Sequence, residues 1–177
     1  MVKSTNVDIN KLMALSHDSS KAARRRLFEN MGGLFLNEED RLSEQERAHI
    51  SDIMSKLLTD VELSVRSTLA EKLSTSNHAP EELIALLAND EIQVARPILV
   101  QSRLLLEKDL LEVIEHRSKE HQLAITERDD ISPLISEMLI EFGDDDIIEH
   151  LIRNKDAQVS KEALALLVEE SKRVDSF

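Results

Sequence analysis

An apolar triplet that returns about every 27 residues constrains this chain more than any other feature of it. It stands in "APEELIALLA" (79–88) as Leu83, Leu86 and Leu87, and in "LEKDLLEVIE" (106–115) as Leu110, Val113 and Ile114. It returns in "ISPLISEMLI" (131–140) as Ile135, Met138 and Leu139, and in "VSKEALALLV" (159–168) as Ala163, Leu166 and Leu167. The i, i+3, i+4 spacing places each triplet on one face of a helix. The steps between segments are 27, 25 and 28 residues. A second set alternates with the first: "DVELSVRSTLAEKL" (60–73), "DEIQVARPILVQS" (90–102), "SKEHQLAITER" (118–128) and "DDDIIEHLIRN" (144–154). Its inward positions align as Val65 and Leu69, Val94 and Ile98, His121 and Ile125, Ile147 and Leu151. Helix pairs repeated at a near-constant period cannot bury their faces singly and must stack on their neighbours. Residues 60–171 therefore read as four helix pairs, and the expected fold is all-α: an α-solenoid of HEAT-like two-helix repeats. No stretch alternates with the period of a strand.

The helix starts carry recognisable caps. Asp60, Asp90, Asp144 and Ser118 open the second set, where an oxygen can accept the free N–H groups of the first turn. Ser132 and Ser160 do the same in the first set, and Pro80 and Pro133 fall where a first turn tolerates proline. Residues 1–59 continue the pattern less regularly, as capping helices. One helix is expected near 8–16 and a second from about 19 to 36, with Ala23, Leu27 and Met31 in register with Val65, Leu69 and Leu73. A third opens on the capping box Ser43-x-x-Glu46 and turns Ile50, Ile53, Met54 and Leu57 inward. The expectation is one continuous domain: caps over 1–59, then helix pairs over 60–177 with an open C-terminal end.

Pro97 interrupts the helix pattern at 90–102. It removes one N–H and crowds the carbonyl of Gln93. In a stack of pairs the outer helix must bend over the inner one. The proline supplies that bend, with the released Gln93 carbonyl expected to face solvent.

Composition narrows the function classes. Aliphatic residues must build the core, because only 2% of residues are aromatic and there is no Trp or Tyr. A net charge of −13 repels nucleic acid and anionic membrane surfaces, so neither is an expected partner. The absence of cysteine rules out disulfides, thiolate metal sites and a Cys nucleophile, and fits a reducing compartment. The longest apolar runs are six residues, far short of a membrane span, and the start of the chain lacks a signal-peptide core. A cytoplasmic protein is expected.

The runs "LSHDSSKAARRRLFENMGGLFLNEEDRLSEQER", "NDEIQVARPIL", "HQLAI" and "RNKDAQVS" resemble the bacterial domain-of-unknown-function 2336 family, found mainly in alphaproteobacteria. The resemblance runs from about residue 11 to 173. It implies HEAT-type helical repeats and brings no activity with it. It also implies a longer protein, since "VEESKRVDSF" ends just after an inner helix with nothing polar to close the stack.

No residue set adds up to a catalytic centre, and neither a cofactor nor a metal is expected. Glu46–His49 is a lone Glu-x-x-His, where di-iron bundles need two with further carboxylates. "GDDDIIE" (143–149) lacks the ligand spacing of a calcium loop and reads as a helix cap. "MGG" (31–33) follows a helix and is too short for a phosphate loop. Five residues remain as candidate partner or ligand contacts: Arg24, Arg25, Arg26, His121 and Arg128. The arginine run is the dense basic spot of an acidic chain. Its plainer reading is a ladder in which Arg24, Arg66 and Arg96 reach the Asp of a neighbouring repeat, with Asp60 and Asp90 available. His121 stands where other repeats carry Val or Ile, and its plainer reading is a core imidazole bonded to backbone.

Three functions follow for comparison. A non-catalytic scaffold for protein–protein interaction fits the extended surface and acidic charge best. A small-ligand or nucleotide-responsive regulatory module would use a pocket near His121 and Arg128. A HEAT-like enzyme, such as an alkylpurine DNA glycosylase or a phycobilin lyase, is a weaker fit; the glycosylases need a basic groove and aromatic residues. Pairing of two chains through the open end is left open.

Overall fold

Helices of eight to eleven residues are marginal alone, so their sequence must give them partners. A computed structural model of the chain describes residues 20–37, 43–161 and 163–165. Among these residues every regular element is helical. The elements are α1 (Lys21–Asn37), α2 (Glu44–Leu57), a 3-10 turn (Leu58–Asp60), α3 (Leu63–Leu73), α4 (Glu81–Ala88), α5 (Ile92–Gln101), α6 (Glu107–His116), α7 (Lys119–Thr126), α8 (Pro133–Phe142) and α9 (Asp145–Arg153). No helix among the described residues is long and apolar enough to cross a membrane. The helix expected near 8–16, and Leu166 and Leu167 of the last triplet, lie outside the described residues.

The helices pack as two rows. The odd-numbered helices α1, α3, α5, α7 and α9 each touch the next odd one, and the even-numbered α2, α4, α6 and α8 each touch the next even one. The rows are joined where consecutive helices touch: α1·α2, α3·α4, α4·α5, α6·α7 and α8·α9. The inner surfaces form one apolar core from Leu27 to Leu151. All eight inward positions read from the second helix set are buried: Val65, Leu69, Val94, Ile98, His121, Ile125, Ile147 and Leu151. Ala23, Leu27 and Met31 are buried in the same way on α1.

The even row corrects two inward assignments. On α4 the buried side chains are Leu83, Ile84, Leu87 and Ala88, while Leu86 is 43% exposed. At 100° per residue Leu86 lies roughly 130° from the middle of that buried arc. On α2, Met54 is buried and Ile53 is 40% exposed. Met138 of α8 is half-buried against the core.

Capping also differs from expectation in part. Ser43 and Glu46 form the reciprocal box: Oγ accepts from Glu46 N at 3.3 Å, and Oε2 accepts from Ser43 N at 2.8 Å. The hydrogen bonds from Ser43 hold the Glu46 carboxyl below the usual carboxylate range. Ser132 caps α8 and Asp144 caps α9. Asp60 and Asp90 do not cap; the N-cap residues are Glu62 and Glu91, and the two aspartates bind arginines instead. Ser118 is an N-cap by position, but its hydroxyl contacts His121. Gly143 and the N-cap Asp144 make the two-residue link into α9. A Cβ at Gly143 would strike the Leu139 carbonyl oxygen and lie 2.7 Å from Ile147 Cγ2.

The carbonyl released by Pro97 lies at the exposed surface, as expected, but it also has a protein partner. Gln93 O accepts the hydroxyl of Ser67 on α3 at 3.0 Å, so the missing helical bond becomes a tie to the neighbouring helix. This is a general remedy for an orphaned backbone group. Ser67→Ala is expected to cost about 0.5–1 kcal/mol in the parent. In Pro97→Ala, whose restored N–H serves Gln93 O, it should cost close to nothing. Urea denaturation of the four-protein cycle reads this; equal costs in both backgrounds would show the tie to be inert.

Candidate functional site

The odd row is tied together by polar contacts between successive helices. Arg24 of α1 pairs with Asp60 at 2.7 Å. Arg66 of α3 meets Asp90 with two donors, Nε to Oδ2 at 2.7 Å and Nη2 to Oδ1 at 2.9 Å. This fork suits a carboxylate, and the Asp90 hydrogen bond raises the Arg66 pKa further. Arg96 of α5 passes over the aspartates and takes Glu127 at 2.7 Å. Lys119 of α7 binds Asp144 at 2.7 Å and also Asp146, and both carboxylates push its pKa up.

The sequence-predicted contact residues fall in two places. Arg24, Arg25 and Arg26 sit on α1; His121 is on α7 and Arg128 just beyond it, with α3 and α5 between the two groups along the row. Arg25 pairs with Glu29 at 2.9 Å and lines a groove of about 460 Å³ between α1 and α3 with Phe28, Val65 and Lys72. Arg26 is exposed. His121 is buried, and both ring nitrogens are engaged. Nε2 donates to the Asp90 carbonyl at 2.9 Å, because a carbonyl can only accept, and Nδ1 lies 2.9 Å from Ser118 Oγ. Arg128 is 3% exposed. It donates from Nη1 to Leu99 O at 2.7 Å, from Nη2 to Ser102 O at 2.9 Å and from Nε to Asp130 at 2.9 Å. His121 is thus the backbone-bonded imidazole of the plainer reading, and Arg128 clamps the last carbonyls of α5.

The even row is different in kind. Its outward surface holds few internal ties and much charge of one sign. α4 carries Glu81 and Glu82 and no base; α6 carries four carboxylates against Lys108; α8 carries Glu137 and Glu141 and no base. In the odd row from α3 to α9, by contrast, five bases balance five carboxylates. Glu81, Glu82, Glu112, Glu137 and Glu141 make no ion pair among the described residues. Between α4 and α6 lies an open groove of about 560 Å³. Its apolar lining is Ala85, Leu86 and Leu106, and its rim carries Glu81, Glu82, Asp109 and Glu112. Sequence reasoning missed this groove because it turned Leu86 inward. The signal that could have found it was the absence of any base from α4 and α8.

No curated protein and no solved structure matches the chain. A family model described as an uncharacterised protein conserved in bacteria (DUF2336) does match, over residues 94–177. The segment "RNKDAQVS" and the "HQLAI" of α7 lie inside that match, "NDEIQVARPIL" (89–99) straddles its start, and the run that begins "LSHDSSKAARRR" lies outside it. From the first turn of α5 to the end of the chain, the sequence is therefore similar to that uncharacterised bacterial family.

Proposed function

We propose that the protein is a non-catalytic, HEAT-like α-solenoid scaffold that binds other proteins through its even-numbered row. The two-row packing with alternating registers supports the solenoid reading. One observation carries the function: the charge of the helices is divided between the rows, neutral on the odd row from α3 to α9 and acidic on the even one. A uniformly acidic molecule would need no such division. A surface with unpaired carboxylates and open leucines attracts basic partners, accelerates their encounter and loses grip as salt rises.

The test is affinity capture from a bacterial lysate at low and high salt, with three baits. One is the parent. One carries Glu81, Glu82, Glu137 and Glu141 changed to Gln, and one carries Lys72 and Arg96 changed to Gln. Proteins held at low salt by the parent and the odd-row variant, but not by the even-row variant, are the expected result. A captured set indifferent to salt and to the even-row changes would overturn the proposal.

A further inference from the structure

We infer that the groove between α4 and α6 seats a basic amphipathic helix of a partner protein. Leu86 and Leu106 hold its apolar anchors, and Glu81, Glu82, Asp109 and Glu112 pair with its Lys and Arg residues. The inference rests on the scaffold reading and names the site and the chemistry of its occupant.

Three observations lead to it. Leu86 and Leu106 are 43% and 37% exposed, yet they share one concave site rather than standing apart on a convex surface. An apolar floor between two helices is the form that receives the apolar stripe of a third. The rim then decides the charge of the visitor. Four carboxylates stand over the leucines, while of the two bases there Arg117 is engaged with the Asp90 carbonyl at 3.1 Å.

The same features exclude other occupants. A second copy would bring the same acidic row against this one. The arginine-bearing helix α1 has no apolar face to offer, because Leu27, Phe28, Met31, Leu34 and Phe35 are buried in its own core. Nucleic acid and anionic lipid are repelled by the rim. A small polycation would satisfy the carboxylates and leave both leucines wet. Only a ligand that is basic and apolar on separate sides meets every group in the groove.

The experiment uses the full chain and three fluorescein-labelled helical peptides of about four turns. One has a leucine stripe at i, i+3, i+4 and i+7 on a lysine background. The second keeps the leucines on glutamate, and the third keeps the lysines with serine in place of leucine. Anisotropy should show saturable binding of the leucine–lysine peptide, weakened by salt and at least about tenfold tighter than either control. Leu86→Ser, at an exposed position, and the pair Glu82→Lys with Glu112→Lys should each weaken it about tenfold, while circular dichroism melts show the variants folded. Hydrogen exchange should slow over residues 81–88 and 106–113 on binding.

Equal binding of the serine–lysine peptide, indifference to Leu86→Ser, or protection confined to α5, α7 and α9 would each overturn the groove assignment. So would failure of the leucine–lysine peptide to bind at all. In any of these cases a salt-sensitive partner captured through the even row would leave the scaffold reading standing, so the two failures are distinguishable.

Discussion

Arg128→Met is expected to lower the free energy of unfolding by about 3 kcal/mol. Methionine keeps much of the length and the apolar stem while removing every donor. Two terminal carbonyls of α5, those of Leu99 and Ser102, then lose a buried partner each. A helix end buried without such partners is costly, and a hydrogen bond from a charged donor is worth more than a neutral one. For a chain of this size the loss corresponds to a fall in Tm of roughly 6–12 °C. Arg128→Lys can serve one carbonyl at a time and should recover part of the loss. The next repeat uses the same device with a neutral group: Asn154 Nδ2 donates to Thr126 O at 2.8 Å and to Arg128 O at 2.7 Å. Urea denaturation followed by circular dichroism measures the effect. A variant within about 0.5 kcal/mol of the parent would show that the clamp contributes nothing.

The second large effect separates two adjacent leucines. Leu87 is fully buried, so Leu87→Asp places a carboxylate among Leu83, Ile84 and their neighbours without a partner. The loss of apolar contacts and the unpaired charge together should cost at least about 4 kcal/mol and unfold α4 with the helices around it. Leu86→Asp adds one more charge to an exposed rim and should stay within about 0.5 kcal/mol. If the two variants melt together, the rotation of α4 in its row is wrong, and with it the groove that Leu86 lines.

The pair also shows where the sequence was legible. On α3, α5, α7 and α9 polar residues surround a narrow apolar stripe, so the period alone identified the inward face. The stretch "LIALLA" is apolar on nearly every side, and periodicity cannot say which side meets solvent. Only the packing of α4 against α2, α3, α5 and α6 decides that. Register pointed to the Arg24–Asp60 and Arg66–Asp90 pairs, because Arg24 and Arg66 share one register position and an Asp stands shortly before the next helix of the row, but it also sent Arg96 to an Asp where Glu127 is the partner. The cost of that success was the cap assignment: a carboxylate facing a guanidinium fork across the row has a stronger partner than a first-turn N–H. Arg128 as a clamp was invisible, since carbonyls leave no mark in a sequence. Ser67, which answers Pro97 from another helix, was invisible for the same reason.

Asp90 binds in several directions at once. Its carboxylate holds Arg66 of α3, and its carbonyl receives Arg117 after α6 and His121 of α7. A stack of repeats joined only by nearest-neighbour surfaces would peel apart one unit at a time under tension. Here the knot lies at the junction of α4 and α5, and its strands lead both toward the N-terminus and toward the C-terminus. Pulling on the two ends of the molecule loads that knot from both sides, so the middle of the chain should yield as a single block, in one step rather than a staircase.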